Sequence, residues 1–82
     1  MTYVDDFGVV WRSKPRYHLM ADSVAELHRF AAACGINRCW FHHTRGYPHY
    51  DITDVQRLVA AARGARLVTA RDLVLIANEL RH

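Results

Sequence analysis

The sequence of 82 residues holds a single lysine, two prolines, four glycines and two cysteines, and each scarcity removes a class of protein. No apolar run approaches the ~20 residues that a helix needs to cross a bilayer, so no membrane partner is expected. The opening Met1-Thr2-Tyr3-Val4-Asp5-Asp6 carries acids where a secretory signal carries basic residues, and a cytoplasmic location is expected. Cys34 and Cys39 have neither the Cys-x-x-Cys spacing of a zinc site nor enough partners for a disulfide framework. They read as two buried thiols. There is no glycine-rich phosphate loop, and no Ser or Cys sits in a recognisable nucleophile setting.

What is present is an ordinary globular composition, 51% hydrophobic and 23% charged, in a chain long enough for one domain over residues 1–82. So small a domain must bury most of its apolar residues or gain support from a second subunit, which makes a homodimer a candidate. Ten of the eleven basic side chains are arginine, and the net charge is +3 with a pI near 9.2. Arginine binds phosphate as a bidentate fork, so a nucleotide or nucleic acid is the partner that this balance favours.

Three capping boxes organise the chain: Ser23 with Glu26, Thr53 with Gln56, and Thr69 with Asp72. Val24, Leu27, Ala31 and Cys34 then share one helical face, with Gly35 as the stop. Val55, Leu58, Val59 and Ala62 repeat the pattern before Gly64. Leu73, Ile76, Ala77 and Leu80 form the inner face of a third helix. Short β-prone runs, Thr2 to Val4, Arg38 to Phe41 and Arg66 to Val68, alternate with these helices, and Arg16 to Met20 could add a short edge strand. The expected fold is therefore α/β, a small three-layer-type domain with a short, mainly parallel sheet of about three strands and three helices. In such a sheet ligands bind beyond the carboxyl ends of the strands.

The segment from Cys39 to Asp51 concentrates three of the six histidines and four of the nine aromatics. Loop residues of this kind titrate, stack, or bind metal and phosphate. His49-Tyr50-Asp51 precedes the helix capped by Thr53, whose first N–H groups attract an anion, with Arg45 adding charge. Asp51 has a second role open to it, as support for the cap. The segment Trp11 to His18 interleaves Arg12, Lys14 and Arg16 with Trp11 and Tyr17, a pattern suited to ring stacking with phosphate contact. His18, His49 and a carboxylate among Asp5, Asp6, Asp22 and Asp51 would suit zinc, manganese or iron. Metal-free acid–base chemistry is the other catalytic route, with Arg57 or Arg71 holding a phosphoryl oxygen. His28, beside Leu27, reads as a partly buried, satisfied histidine.

The chain also resembles the small bacterial and phage family catalogued as domain of unknown function 4031. The resemblance rests on the strand ending in Val4-Asp5, on His18-Leu19-Met20-Ala21-Asp22, on Glu26-Leu27-His28, on His49-Tyr50-Asp51 and on Arg71-Asp72-Leu73. It implies shared polar positions at Asp5, His18, Asp22, His28, His49, Tyr50, Asp51 and Arg71. The chain departs from that pattern at Asp6, often proline in the family, and in the longer segment from His42 to Tyr47. Those departures shift weight from His42 and His43 to His49, Tyr50 and Asp51.

The expectation is a small domain that binds a phosphate-bearing ligand at the strand rim through Trp11, Arg16, Arg45, Tyr50 and Arg71. The alternatives are a metal-dependent or histidine-based phosphodiesterase or nuclease using Asp5, His18, His49 and Asp51, and a phage-type interaction or inhibitor module. The sequence leaves open whether the protein is an enzyme and whether it carries a divalent metal at His18, His49 and Asp51.

Overall fold

A computed structural model describes residues 1–6, 9–11, 14–43 and 47–80, with side chains omitted at 9–11 and 14. Its strands are β1 (Thr2–Val4), β2 (Val9–Trp11), β3 (Lys14–Ala21), β4 (Phe41–His42), β5 (His49–Ile52) and β6 (Arg66–Leu67). Its helices are α1 (Val24–Ala33), α2 (Asp54–Ala62) and α3 (Ala70–Leu80). Five strands lie in the order β4-β5-β3-β1-β6, and β2 pairs with the first part of β3.

The α/β class and the three helices agree with the sequence, but the sheet does not. Among the described residues only β1 and β6 pair in parallel, while β1–β3, β2–β3, β3–β5 and β4–β5 are antiparallel. The expected short edge strand is the centre of the sheet, eight residues long and paired on both sides. Its alternation explains this. Leu19 and Ala21 are buried on one face, and Met20 is buried on the other with His18 beside it, so both faces need cover. The segment read as a loop before the second helix is also a strand: His49 to Ile52 alternate partly exposed and buried. Arg38–Trp40, expected as a strand, is instead a 3₁₀ turn capped by the Asn37 side chain.

Of the three expected capping boxes one forms in full, and the other two show only the cap side chain accepting a backbone N–H among the described residues. The Thr53 side chain accepts from the Gln56 N–H, and Gln56 returns a bond to the Thr53 N–H, so that box is complete. Ser23 and Thr69 cap the backbone N–H of Glu26 and Asp72. The Glu26 carboxylate pairs with the Met1 amino group. Gly35 and Gly64 follow α1 and α2 at φ of 72° and 102°, where a side chain would be strained.

One face of the sheet, with Val4, Leu19, Ala21, Tyr50 and Ile52, packs with Leu27 and Ala31 of α1 and Ala60 of α2. The other face, with Tyr3 and Met20, is covered by Leu73, Ile76, Ala77 and Leu80 of α3. The third helix therefore buries the stripe that the sequence assigned to it. The second does not: Val55 and Leu58 are 65% and 69% exposed. Its polar side turns inward because Arg57 donates through Nε to the Asp5 carbonyl at 2.9 Å and sits 5.0 Å over the Tyr17 ring. No helix among the described residues is long and apolar enough to cross a membrane.

Candidate metal centre

Register assembles the site. β3 and β5 pair His18 with Asp51, and β4 and β5 pair His42 with His49. Directly opposed residues share a face, so four polar side chains from three strands gather on one patch. Tyr50 and Ile52, which alternate with His49 and Asp51 along β5, point into the core on the other side.

The buried end of this patch is Asp5, only 1% exposed. Its Oδ1 accepts the His18 backbone N–H at 2.9 Å, and its Oδ2 accepts His18 Nδ1–H at 2.7 Å. A carboxylate only accepts, so the imidazole proton lies on Nδ1 and Nε2 faces outward. This bond to Asp5 raises the His18 pKa above the ordinary histidine value, against the opposing effect of burial. Arg57 holds the Asp5 carbonyl from the opposite face of the sheet. Asp5 is thereby fixed on both sides.

His49 is oriented in the same way by a different partner. Its Nδ1–H donates to the Tyr47 carbonyl at 2.9 Å, which leaves Nε2 as the free ring nitrogen. Burial lowers the His49 pKa, with the neighbouring His18 and His42 adding to that effect. His49 Nε2 lies 3.5 Å from Asp51 Oδ1, and His18 Nε2 lies 4.0 Å from the same oxygen. Asp51 Oδ2, the other oxygen, lies 3.0 Å from His42 Nε2. The His18 and His49 rings meet edge to face, with centroids 5.0 Å apart.

Three acceptor atoms thus converge: His18 Nε2, His49 Nε2 and Asp51 Oδ1, with ligand atoms all within 4.8 Å of one another. Neutral imidazole nitrogens and a carboxylate oxygen facing one point repel unless a proton or a metal cation lies between them. Ligands about 2.0–2.2 Å from a tetrahedral metal stand roughly 3.3 Å apart. The observed 3.5 and 4.0 Å to Asp51 Oδ1, and the 4.8 Å within which all three atoms lie, require the side chains to draw in by up to about 1.5 Å around an ion. The donor set fits a divalent ion.

Beside the cluster, under α3, is a cavity of about 220 Å³ with Asp5, His18 and His49 at one end and Met20, Tyr47, Leu73, Val74 and Ala77 along its walls. Among the residues proposed from sequence, Asp5, His18, His49 and Asp51 therefore come together. They do so on the face of an antiparallel sheet, not at the rim of a parallel one.

The ligand-binding set expected from sequence does not assemble around them. Tyr50 is 1% exposed and shares a 2.7 Å hydrogen bond between its hydroxyl and His28 Nδ1, so no ligand stacks on its ring. The Arg16 guanidinium lies 4.2 Å over the Trp40 ring. Arg71 is exposed in the first turn of α3, outside the cavity lining. Arg45 lies outside the described residues, and of Trp11 only the backbone is described. Asp22 bonds the Tyr3 hydroxyl at 2.8 Å, away from the cluster, and Asp6 accepts the Ala70 N–H at the start of α3.

Two participants were not singled out from sequence. From sequence His42 and His43 carry the same low weight, yet the His42 ring reaches Asp51, while His43 stacks on Phe41 on the opposite face. The strand alternation that separates the two was visible in the sequence. The Tyr47 carbonyl carries no sequence signal.

The fold and the cluster define a small α/β domain with a mixed, largely antiparallel sheet and a His–His–Asp site on one face. The chain belongs to the family described as protein of unknown function (DUF4031), which matches residues 2–80. No curated protein and no solved structure matches the chain.

Proposed function

We propose that this is a mononuclear divalent-metal protein that hydrolyses a phosphate ester, with His18 Nε2, His49 Nε2 and Asp51 Oδ1 as the metal ligands. One observation carries the reading: each of the three has its far side held by a dedicated partner. Asp5 holds His18 Nδ1 at 2.7 Å, the Tyr47 carbonyl holds His49 Nδ1 at 2.9 Å, and His42 Nε2 stands 3.0 Å from Asp51 Oδ2. Such outer partners fix the tautomer and aim of metal ligands.

Two histidines and one carboxylate suit zinc, manganese or ferrous iron and leave coordination positions open. Held by His18, His49 and Asp51, a divalent ion would supply Lewis-acid chemistry at the phosphoryl group. Hydrolysis forms a bond from the water oxygen to phosphorus and breaks the bond from phosphorus to the ester oxygen, which leaves as the alcohol with the proton from water. His18 and His49 both border the cavity, so the reacting group lies between the cluster and α3. His42, 46% exposed, is the most solvent-open histidine of the patch and holds the outer oxygen of Asp51.

The test is metal analysis of the full chain, followed by turnover of p-nitrophenyl phosphate with zinc, manganese or ferrous iron. One equivalent of metal, and turnover lost in His49→Ala, support the reading. A chain that binds none of the three ions at micromolar concentration contradicts it.

A homodimer is supported by a separate observation, the outward stripe of Val55, Leu58 and Val59 on α2. Sedimentation of the wild type and of Leu58→Glu tests it. A monomer in both rejects the dimer.

A further inference from the structure

The cavity next to the cluster is polar at one end only. Its walls are Met20 from β3, Leu73, Val74 and Ala77 from α3, and Tyr47. At its end both Asp5 oxygens accept from His18 and His49 Nδ1 donates to the Tyr47 carbonyl, which leaves the Nε2 atoms of His18 and His49 for the proposed metal. The Tyr47 hydroxyl is also engaged, donating to the Asp22 carbonyl at 3.2 Å. Among the described residues the walls otherwise present the hydrocarbon side chains of Met20, Leu73, Val74 and Ala77. A buried donor or acceptor without a partner costs about 1–3 kcal/mol, so a nucleobase edge, with several such groups, is selected against.

Size narrows the class further. At about 220 Å³ the cavity is smaller than the ~300–1,000 Å³ clefts that hold drug-sized ligands, and larger than the ~150 Å³ apolar void that holds benzene. It matches a single ring or a short branched chain. Val74, on its α3 wall, is 59% exposed, which gives that group a way in from solvent.

We infer that the substrate is a small phosphate ester of an apolar alcohol or phenol, its hydrocarbon group lodged against Met20, Leu73, Val74 and Ala77 with its phosphoryl oxygens turned to His18 and His49. This rests on the metal reading above and replaces the nucleotide with an apolar ester as the ligand class. The residues that discriminate substrates are then those of β3 and α3, and neither Arg16 nor Arg71 lines the cavity.

Zinc-loaded full-length protein is titrated calorimetrically with methylphosphonate, phenylphosphonate and adenosine 5′-phosphate. Phenylphosphonate is expected to bind about tenfold or more tightly than methylphosphonate, the gain from burying roughly two methylenes of apolar surface. Ala77→Phe, which fills the cavity, is expected to abolish that preference and to leave zinc binding unchanged. If Ala77→Phe fails to fold, Val74→Phe narrows the same wall from an exposed position. Equal binding of the two phosphonates, a preference that survives both substitutions, or tighter binding of adenosine 5′-phosphate than of phenylphosphonate would overturn the inference while zinc is bound. Failure of zinc to bind at all overturns the metal reading, and the inference with it, before any phosphonate is added.

Discussion

Replacing Asp5 by Asn tests whether an outer partner sets the metal site. The side chain is 1% exposed, and its two oxygens accept two donors of one residue, the His18 backbone N–H at 2.9 Å and Nδ1–H at 2.7 Å. An amide offers one oxygen and one NH₂, so in either orientation it sets a donor against a donor. If NH₂ faces the imidazole, the ring proton moves to Nε2, the atom that must receive the metal. Loss of such an outer partner costs about 10–100-fold in metal affinity. The fold should lose about 1–3 kcal/mol, because a buried donor is left without its partner.

The Asp5 carboxylate also raises the His18 pKa, which brings proton competition into the wild type. Zinc affinity is therefore best compared at about pH 8.5, ~2 units above the ordinary histidine value. A competition titration with a fluorescent chelator gives the affinity, and urea unfolding of the metal-free protein gives the stability. A folded Asp5→Asn protein with wild-type zinc affinity would refute the reasoning.

Four further outcomes follow from the same geometry. Metal-free stability carries a term from His18: its folded pKa is raised, so the contribution is complete below ~6.5 and disappears as pH rises through the folded value. Urea midpoints of wild type and Asp5→Asn measured across that range should converge as pH rises, and a constant gap contradicts the pairing. Zinc affinity, by contrast, should climb with pH through the same window as the His18 proton is released, and a pH-independent titration argues that His18 is not a ligand. Thr53→Ala removes a complete capping box and should cost ~1 kcal/mol, lowering Tm by about 4–8 °C; an unchanged melting curve rejects the role of the cap. Tyr50→Phe should cost about 1 kcal/mol by leaving His28 Nδ1 without the hydroxyl, yet zinc affinity should hold because that pair faces away from the cluster.

The helices were legible because their signals are local. Ser23, Thr53 and Thr69 cap within three residues, and Gly35 and Gly64 stop α1 and α2 with a positive φ. The sheet was not, because pairing is decided at long range. Strands alternating with helices imply parallel neighbours, yet β3 enters between β1 and β5 and turns both pairings antiparallel. Period-two alternation in His49-Tyr50-Asp51-Ile52 was present to be read, and it would have put His49 and Asp51 on one face. The outward stripe of α2 defeats any pattern argument: an apolar face was available, but Arg57, tied to the Asp5 carbonyl and to Tyr17, turns the other side inward. The site residues Asp5, His18, His49 and Asp51 were identifiable by chemistry. Their convergence depends on the register of β3 against β5, which no short motif encodes.

X-ray absorption at the zinc edge of the stoichiometrically loaded protein tests the central claim most directly. The account predicts a nitrogen and oxygen shell at about 2.0–2.1 Å with scattering from two imidazoles, and loss of one imidazole in His49→Ala. A sulfur shell at about 2.3 Å, which would bring Cys34 or Cys39 into the site, or a protein that holds no zinc, would contradict it.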